Sequence, residues 1–313
     1  MEKFFKLFSC NKIVRGKSMG AIYLLNRARI ERVPLDVCDL ISELEVYSIN
    51  FIKKRYGEDI VNQWISYLIK NEIGHLTQEP NRFKDSPNEY NTPSLIQRAQ
   101  IEFSLNSSYN ISSLVKKLDL LLCKHIEVRF VGKANYDMLN SFFNMFKTTC
   151  IRSISVYIES YHSSNIKKDM LLLYSNNPKI SYIYIFNAIL NISWGNIHLI
   201  KKNIEVFLDK PWNLDHLLIN FLFFTESLKY NTFYHKKIAI NKDGVIKNDL
   251  SLPHNFDTVD TCDIEELIND PQFTFFWNIN ADSIESLKDS ELRYAIYPAR
   301  ELIKQGDHFF LKE

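Results

Sequence analysis

The sequence predicts an α/β chain with a repeated strand–helix region at its centre, a smaller strand-and-helix module before it and a turn-rich segment after it. Three observations carry this reading. Between residues 97 and 187 the apolar period switches repeatedly between two and 3.6, the mark of strands alternating with helices. Ahead of that region, Ile60, Val61, Trp64, Ile65, Leu68 and Ile69 repeat at i, i+3/i+4 and form the stripe of an amphipathic helix. Between the two regions, Pro80, Pro87 and Pro93 stand among many Asn, Asp and Ser residues, which makes 79–96 a linker.

Taken in order, residues 3–14 and 18–33 read as short strands joined by a turn at Arg15, Gly16 and Lys17. Helices are predicted at about 36–43, about 47–56 and 58–71, and residues 71–77 read as a returning strand. Three helices with a sheet and a wing describe a winged-helix-like α+β module over 1–78. A DNA-reading version needs a basic recognition helix. The helix at 58–71 carries Glu58 and Asp59, with Lys70 as its single cation, so no nucleic-acid partner is expected. Beyond the linker the pattern runs strand 99–105, helix 110–122, strand 125–131, helix 134–146, strand 153–159, helix 165–175 and strand 181–187. Such alternation fits a parallel sheet, either a partial TIM-like (β/α) barrel over 97–224 or an open doubly wound sheet.

In the segment 225–313, two alternating apolar runs flank Asp243 and Gly244, a pair suited to a tight hairpin. A short helix capped by Asp263 and broken by Pro271 follows, leading into an aromatic cluster that ends at Trp277. This segment resembles the SPASM domain, the auxiliary iron–sulfur domain of radical S-adenosylmethionine peptide maturases, and in particular the maturation protein of the grasp-with-spasm type. In that family a cysteine, a glycine and a second cysteine are spaced as Phe233, Gly244 and Asp249 are here. The later four-cysteine run falls on Leu287, Ser290, Ile296 and Ala299, while Lys288, Asp289, Glu291, Arg293, Tyr294 and Arg300 match the residues around it. The resemblance implies a radical-SAM-like barrel over 97–224. It also makes 1–78 similar to the peptide-recognition domain of such maturases, which captures a leader peptide as an added strand.

The former cluster-ligand positions Phe233, Asp249, Leu287, Ser290, Ile296 and Ala299 hold no thiolate, and an iron–sulfur cluster needs thiolates. The segment 106–110, where the resemblance places the SAM-cluster loop, has no cysteine either. The expectation is therefore a degenerate SPASM-like domain with no metal and no cofactor, in which Phe233, Leu287 and Ile296 fill space apolarly. Asp249 and Ser290 carry oxygens but read as turn residues.

Charge is balanced, with 38 Lys+Arg against 37 Asp+Glu, so no anionic partner is favoured by the chain as a whole. The start of the chain reads as no signal sequence, and no apolar run approaches about 18 residues, so the expected location is the cytoplasm with no membrane association. Cys10, Cys38, Cys123, Cys150 and Cys262 are dispersed and read as free thiols. Eight glycines form no dinucleotide or phosphate loop. Tyr161, His162, Ser163 and Ser164, at a strand end, are the best place for surviving chemistry, with a helix cap as the plainer reading.

Together these readings give a non-catalytic accessory in the maturation of a ribosomally made peptide, with no catalytic residue assigned. By resemblance its partners are the precursor peptide and an ATP-grasp ligase that forms ω-ester or ω-amide macrocycles, as in graspetides. The leader is expected on a strand within 22–33, with Leu25 on it and Asn62, Gln63, Tyr67 and Lys70 facing it from the helix. A peptide-modifying enzyme that works without a cluster stays open as the alternative.

Overall fold

A computed structural model describes residues 2–83, 87–208 and 213–312. The chain begins with strands β1 (Phe4–Leu7), β2 (Asn11–Arg15), β3 (Gly20–Leu24) and β4 (Arg29–Val33). Pro34 precedes α1 (Leu35–Leu44), and Gly57, at a φ of 92°, separates α2 (Ile49–Tyr56) from α3 (Glu58–Lys70). β5 (Gly74–Thr77) then pairs antiparallel with β1. β2, β3 and β4 form an antiparallel sheet in that order, and β3 is buried at all five residues. Alternation explains this burial. Ile22 and Leu24 join Val33 in the core under the three helices, whereas Ala21, Tyr23 and Leu25 belong to a second cluster with Phe224, Tyr294 and Ala295.

The repeated region follows as β6 (Arg98–Phe103), α4 (Ile111–Leu120), β7 (His125–Ala134), α5 (Tyr136–Asn144), β8 (Ser153–Tyr161), α6 (Ile166–Asn176) and β9 (Ile180–Ile185). Asn110 and Asn135 start α4 and α5 by accepting hydrogen bonds from the backbone nitrogens of Ser113 and Met138, satisfying donors that the first helical turn leaves free. A hairpin of β10 (Ile192–Trp194) and β11 (Ile197–Leu199) comes next, followed by α7 (Ile204–Leu208) and α8 (Phe221–Ser227). The described chain closes with β12 (Lys237–Ile240), β13 (Ile246–Lys247), α9 (Ile264–Leu267), β14 (Leu302–Gln305) and β15 (His308–Leu311).

The fold is mixed α/β, and its largest sheet has eight strands in the order β10-β11-β9-β8-β7-β6-β12-β13, parallel except for an antiparallel hairpin at each end. Because β6 to β9 lie in chain order, right-handed crossovers put α4, α5 and α6 on one face, a single winding rather than a double one. Phe142 of α5 accordingly packs against Phe103 and Phe130. Ile101, Val128, Val156 and Ile183 stand in register on this face, each fully buried. The next row, Gln100, Glu127, Ser155 and Tyr182, turns to the other face, which is polar and aromatic.

The chain divides into two compact units. One comprises Met1–Tyr90, Asn213–Thr232 and Ile279–Lys312, and the other Asn91–Trp212 and Phe233–Asn278. Residues 225–312 are thus shared: β12, β13 and α9 fall in the second unit, whereas β14 and β15, which form a two-stranded sheet of their own, fall in the first.

The Asp243–Gly244 turn joins β12 to β13, with the Asn241 nitrogen donating to the Val245 oxygen at 3.0 Å. Gly244 is needed twice over, since its φ is 80° and a Cβ there would lie 2.9 Å from Cβ of Tyr109. Gly244→Ala is therefore expected to lower the unfolding free energy by about 1–3 kcal/mol in urea titration. A loss below measurement error would mean that the turn rearranges freely.

Candidate functional site

In the first unit, β4 has β3 on one side and, among the described residues, no strand on the other. Its Arg29, Glu31 and Val33 share the helix-facing side with Ile22 and Leu24, their alternating neighbours on β3. α3 lies along this side. The Tyr67 hydroxyl donates to Oε2 of Glu31 at 3.4 Å, and Arg29 pairs with the same carboxylate at 2.5 Å. Burial raises the Tyr67 hydroxyl pKa, and the charge of Glu31 raises it further. Ile60, Trp64 and Tyr67 follow one another along one helical stripe, with the Trp64 and Tyr67 rings 5.5 Å apart and Ile60 half exposed. An open strand edge beside an apolar, aromatic helix face is a geometry that accepts an extended peptide: backbone groups supply hydrogen bonds and the helix stripe receives side chains.

Of the residues expected to read that peptide, Tyr67 stands against β4, and Asn62, Gln63 and Lys70 are exposed on α3. Leu25 lies just past β3 in the turn to β4 and is buried in the cluster on the opposite face of the sheet. Sequence reasoning does not single out Ile60, Trp64, Glu31 or Arg29 for this edge. The helical period puts Ile60 and Trp64 on one stripe with Tyr67, but which strand faces that stripe depends on the sheet order.

In the second unit, two of the residues that the SPASM resemblance aligns with ligands converge on one ammonium. Lys237 forms an ion pair with Asp249, both side chains only 5% exposed, and its Nζ sits 3.8 Å from the centre of the Phe233 ring. Burial alone would push the Asp249 carboxyl up, but Lys237 and two hydrogen bonds from Ser251, 2.9 Å from its nitrogen and 2.5 Å from its hydroxyl, bring it down to about 2. The polar sheet face continues from there. Gln100 accepts from the Leu250 nitrogen at 3.3 Å and donates to Glu127 at 3.3 Å, and Arg129 Nε donates to Glu127 at 2.7 Å. Farther along, Tyr157 and Tyr184 stack with ring centres 5.5 Å apart, and Phe207 of α7 packs on Tyr184 at 5.4 Å. A signal for Lys237 does exist in the sequence: a lysine opening an otherwise apolar strand must have a partner if the strand is buried.

The remaining ligand positions lie in the first unit. Leu287 is buried, Ser290 accepts from the Leu292 nitrogen at 3.1 Å, Ile296 is half-buried in a bridge with Leu217, and Ala299 is half-buried. At the end of β8, the hydroxyls of Tyr161 and Ser163 both donate to Oδ2 of Asp169, at 2.9 and 2.6 Å, and Ser163 also accepts from the Asn165 nitrogen. These bonds hold the turn ahead of α6, whose start has no side-chain cap, and exposed His162 is left with Ser160 at 3.4 Å.

An iron–sulfur cluster does not fit these residues. Phe233 offers a ring, Leu287, Ile296 and Ala299 offer hydrocarbon, and the one carboxylate, Asp249, is committed to Lys237. Among the described residues, no three His, Cys, Asp or Glu side chains are grouped to hold a metal ion, and no helix is long and apolar enough to cross a membrane.

No family model matches the chain, and no curated protein matches it. Among solved structures, SuiB of Streptococcus suis bound to S-adenosylmethionine aligns over 86% of this chain and 89% of its own, with 11% identity and a TM-score of 0.24. A likeness of that size carries no argument about function.

Proposed function

We propose that the chain is a non-catalytic accessory of ribosomal peptide maturation, which binds a precursor leader as a fourth strand on β4 and presents the peptide to a partner ATP-grasp ligase forming ω-ester or ω-amide rings. The observation that carries this reading is the open β4 edge beside α3, with Tyr67 reaching Glu31. The sequence resemblance of 1–78 to a winged-helix peptide-recognition domain, and of 225–302 to a SPASM domain, supports the pathway. The non-catalytic part rests on the donor set, because side chains at the ligand positions are apolar or already paired.

The test is titration of a labelled precursor leader into the full chain. Tyr67→Glu puts a second carboxylate beside Glu31 and is expected to weaken binding at least about tenfold in a chain that circular dichroism shows to be still folded. Equal affinity for the variant would remove the leader from this edge. Mass spectrometry separates the accessory from the enzyme: the precursor should lose one water per ring only when ligase and ATP are present. A mass change produced by this chain alone would favour the enzymatic alternative, and a stoichiometric iron–sulfur cluster after anaerobic reconstitution would overturn both cluster-free readings.

A further inference from the structure

β10 is the last strand of the eight-stranded sheet and, among the described residues, pairs with β11 alone. Ile192 lies opposite Leu199 and Trp194 opposite Ile197, and Ile197 is in turn in register with Ile183. The apolar, helix-covered face therefore runs out to this edge. Its inner members are buried, with Ile197 at 2% and Leu199 at 8% exposure, but Ile192 is 37% exposed, and Ile189 and Leu190, just before it, are 88% and 62% exposed.

Exposed apolar edge strands invite pairing with another chain, and proteins usually blunt them with charges or cover them. Here positive charge flanks the edge at both ends. At the Trp194 end, Lys167 Nζ lies 5.6 Å from the indole centre, and Lys168 follows it on α6. At the other end, the Lys201 nitrogen donates to Oδ1 of Asn191 at 2.8 Å, and the Lys202 oxygen accepts from the Asn187 nitrogen at 3.1 Å. All four lysine side chains are exposed and none is in an ion pair among the described residues. The nearby Asp169 carboxylate is taken by Tyr161 and Ser163.

We propose that this edge docks an extended peptide segment, with apolar side chains at alternate positions and acidic residues at either end, as a strand added outside β10. Main-chain hydrogen bonds form along β10, the apolar side chains extend the face of Ile192 and Trp194, and the terminal carboxylates meet Lys167 and Lys168 at one end and Lys201 and Lys202 at the other. The site belongs to the second unit, and its evidence does not depend on the reading of the β4 edge.

The probe is a fluorescein-labelled peptide of alternating valine and threonine ending in two glutamates at each side, titrated into the full chain by anisotropy. Saturable binding is expected, weakened at least about tenfold by Lys167→Glu with Lys168→Glu, by Lys201→Glu with Lys202→Glu, and by raising salt to about 0.5 M. The same peptide with N-methyl groups on alternate amides should not bind, because strand addition needs those donors. Tyr67→Glu should leave this binding unchanged, so failure here and failure at β4 are told apart. Undiminished binding by both lysine variants overturns the proposal, as does retention of the N-methylated peptide. Binding of phosphatidylserine vesicles with the same lysine dependence, in the absence of peptide binding, would assign the patch to a membrane surface instead.

Discussion

Lys237→Met is expected to cost about 3–5 kcal/mol of unfolding free energy in urea titration at pH 7, because it leaves the buried Asp249 carboxylate without its counter-charge. Both side chains are 5% exposed, and the ammonium is held by the carboxylate on one side and the Phe233 ring on the other. Removing one partner leaves the full desolvation cost of the other, whereas removing both leaves a space that hydrocarbon can fill. The double variant Lys237→Met with Asp249→Leu should therefore recover most of the loss. Asp249 titrates near 2 in the fold against an ordinary 3.8, so its contribution is present above about pH 4 and is lost as pH falls toward 2. Acid unfolding of the wild type should be steeper in that window than that of the double variant. A single-variant loss below about 1 kcal/mol would show that water reaches the pair and that the core does not depend on it.

The strands and helices of residues 98–185 are legible in the sequence because each carries its own local signal. Asn110 and Asn135 stand where helices start, and the period of Ile126, Val128 and Phe130 is that of a strand whatever the sheet around it. The position of β12 is not legible. Its residues Ile238, Ala239 and Ile240 are buried, and a short apolar run reads alike whether it closes its own hairpin or joins a larger sheet. What decides the matter is a pairing between residues such as Ile238 and Ala99, far apart in the sequence, for which no local pattern exists. The same holds for the candidate peptide edge. Tyr67 is legible as a residue off the deepest stripe of α3, but its neighbour Glu31 follows from the order β2-β3-β4, which makes β4 rather than β3 the outer strand. Alternation alone places Leu25 on the strand, whereas the chain has already begun its turn there.

Leu287→Ala should destabilise the chain by about 2–5 kcal/mol, and Ile296→Ala by less than Leu287→Ala, if apolar packing now does at these positions what thiolate ligands do in the domains they resemble. The difference follows from burial: Leu287 is 3% exposed and sits directly after the fully buried Ile284 turn, whereas Ile296 is half-buried. One leucine cannot replace a metal site, whose binding supplies roughly 10 kcal/mol or more in small zinc peptides. On the reading that the SPASM resemblance implies, the rest is spread over the segment by contacts such as these. The Tyr23 hydroxyl donates to the Glu291 oxygen at 2.9 Å, Ser227 donates to the Tyr294 oxygen at 3.1 Å, and Arg293 Nε donates to Asp282 at 2.6 Å. The first two bonds tie residues 282–294 to β3 and α8 within one unit and the third braces the segment itself, so it draws part of its order from its neighbours. Equal losses at Leu287 and Ile296 would contradict the burial argument, and losses near zero at both would place the two side chains outside any core.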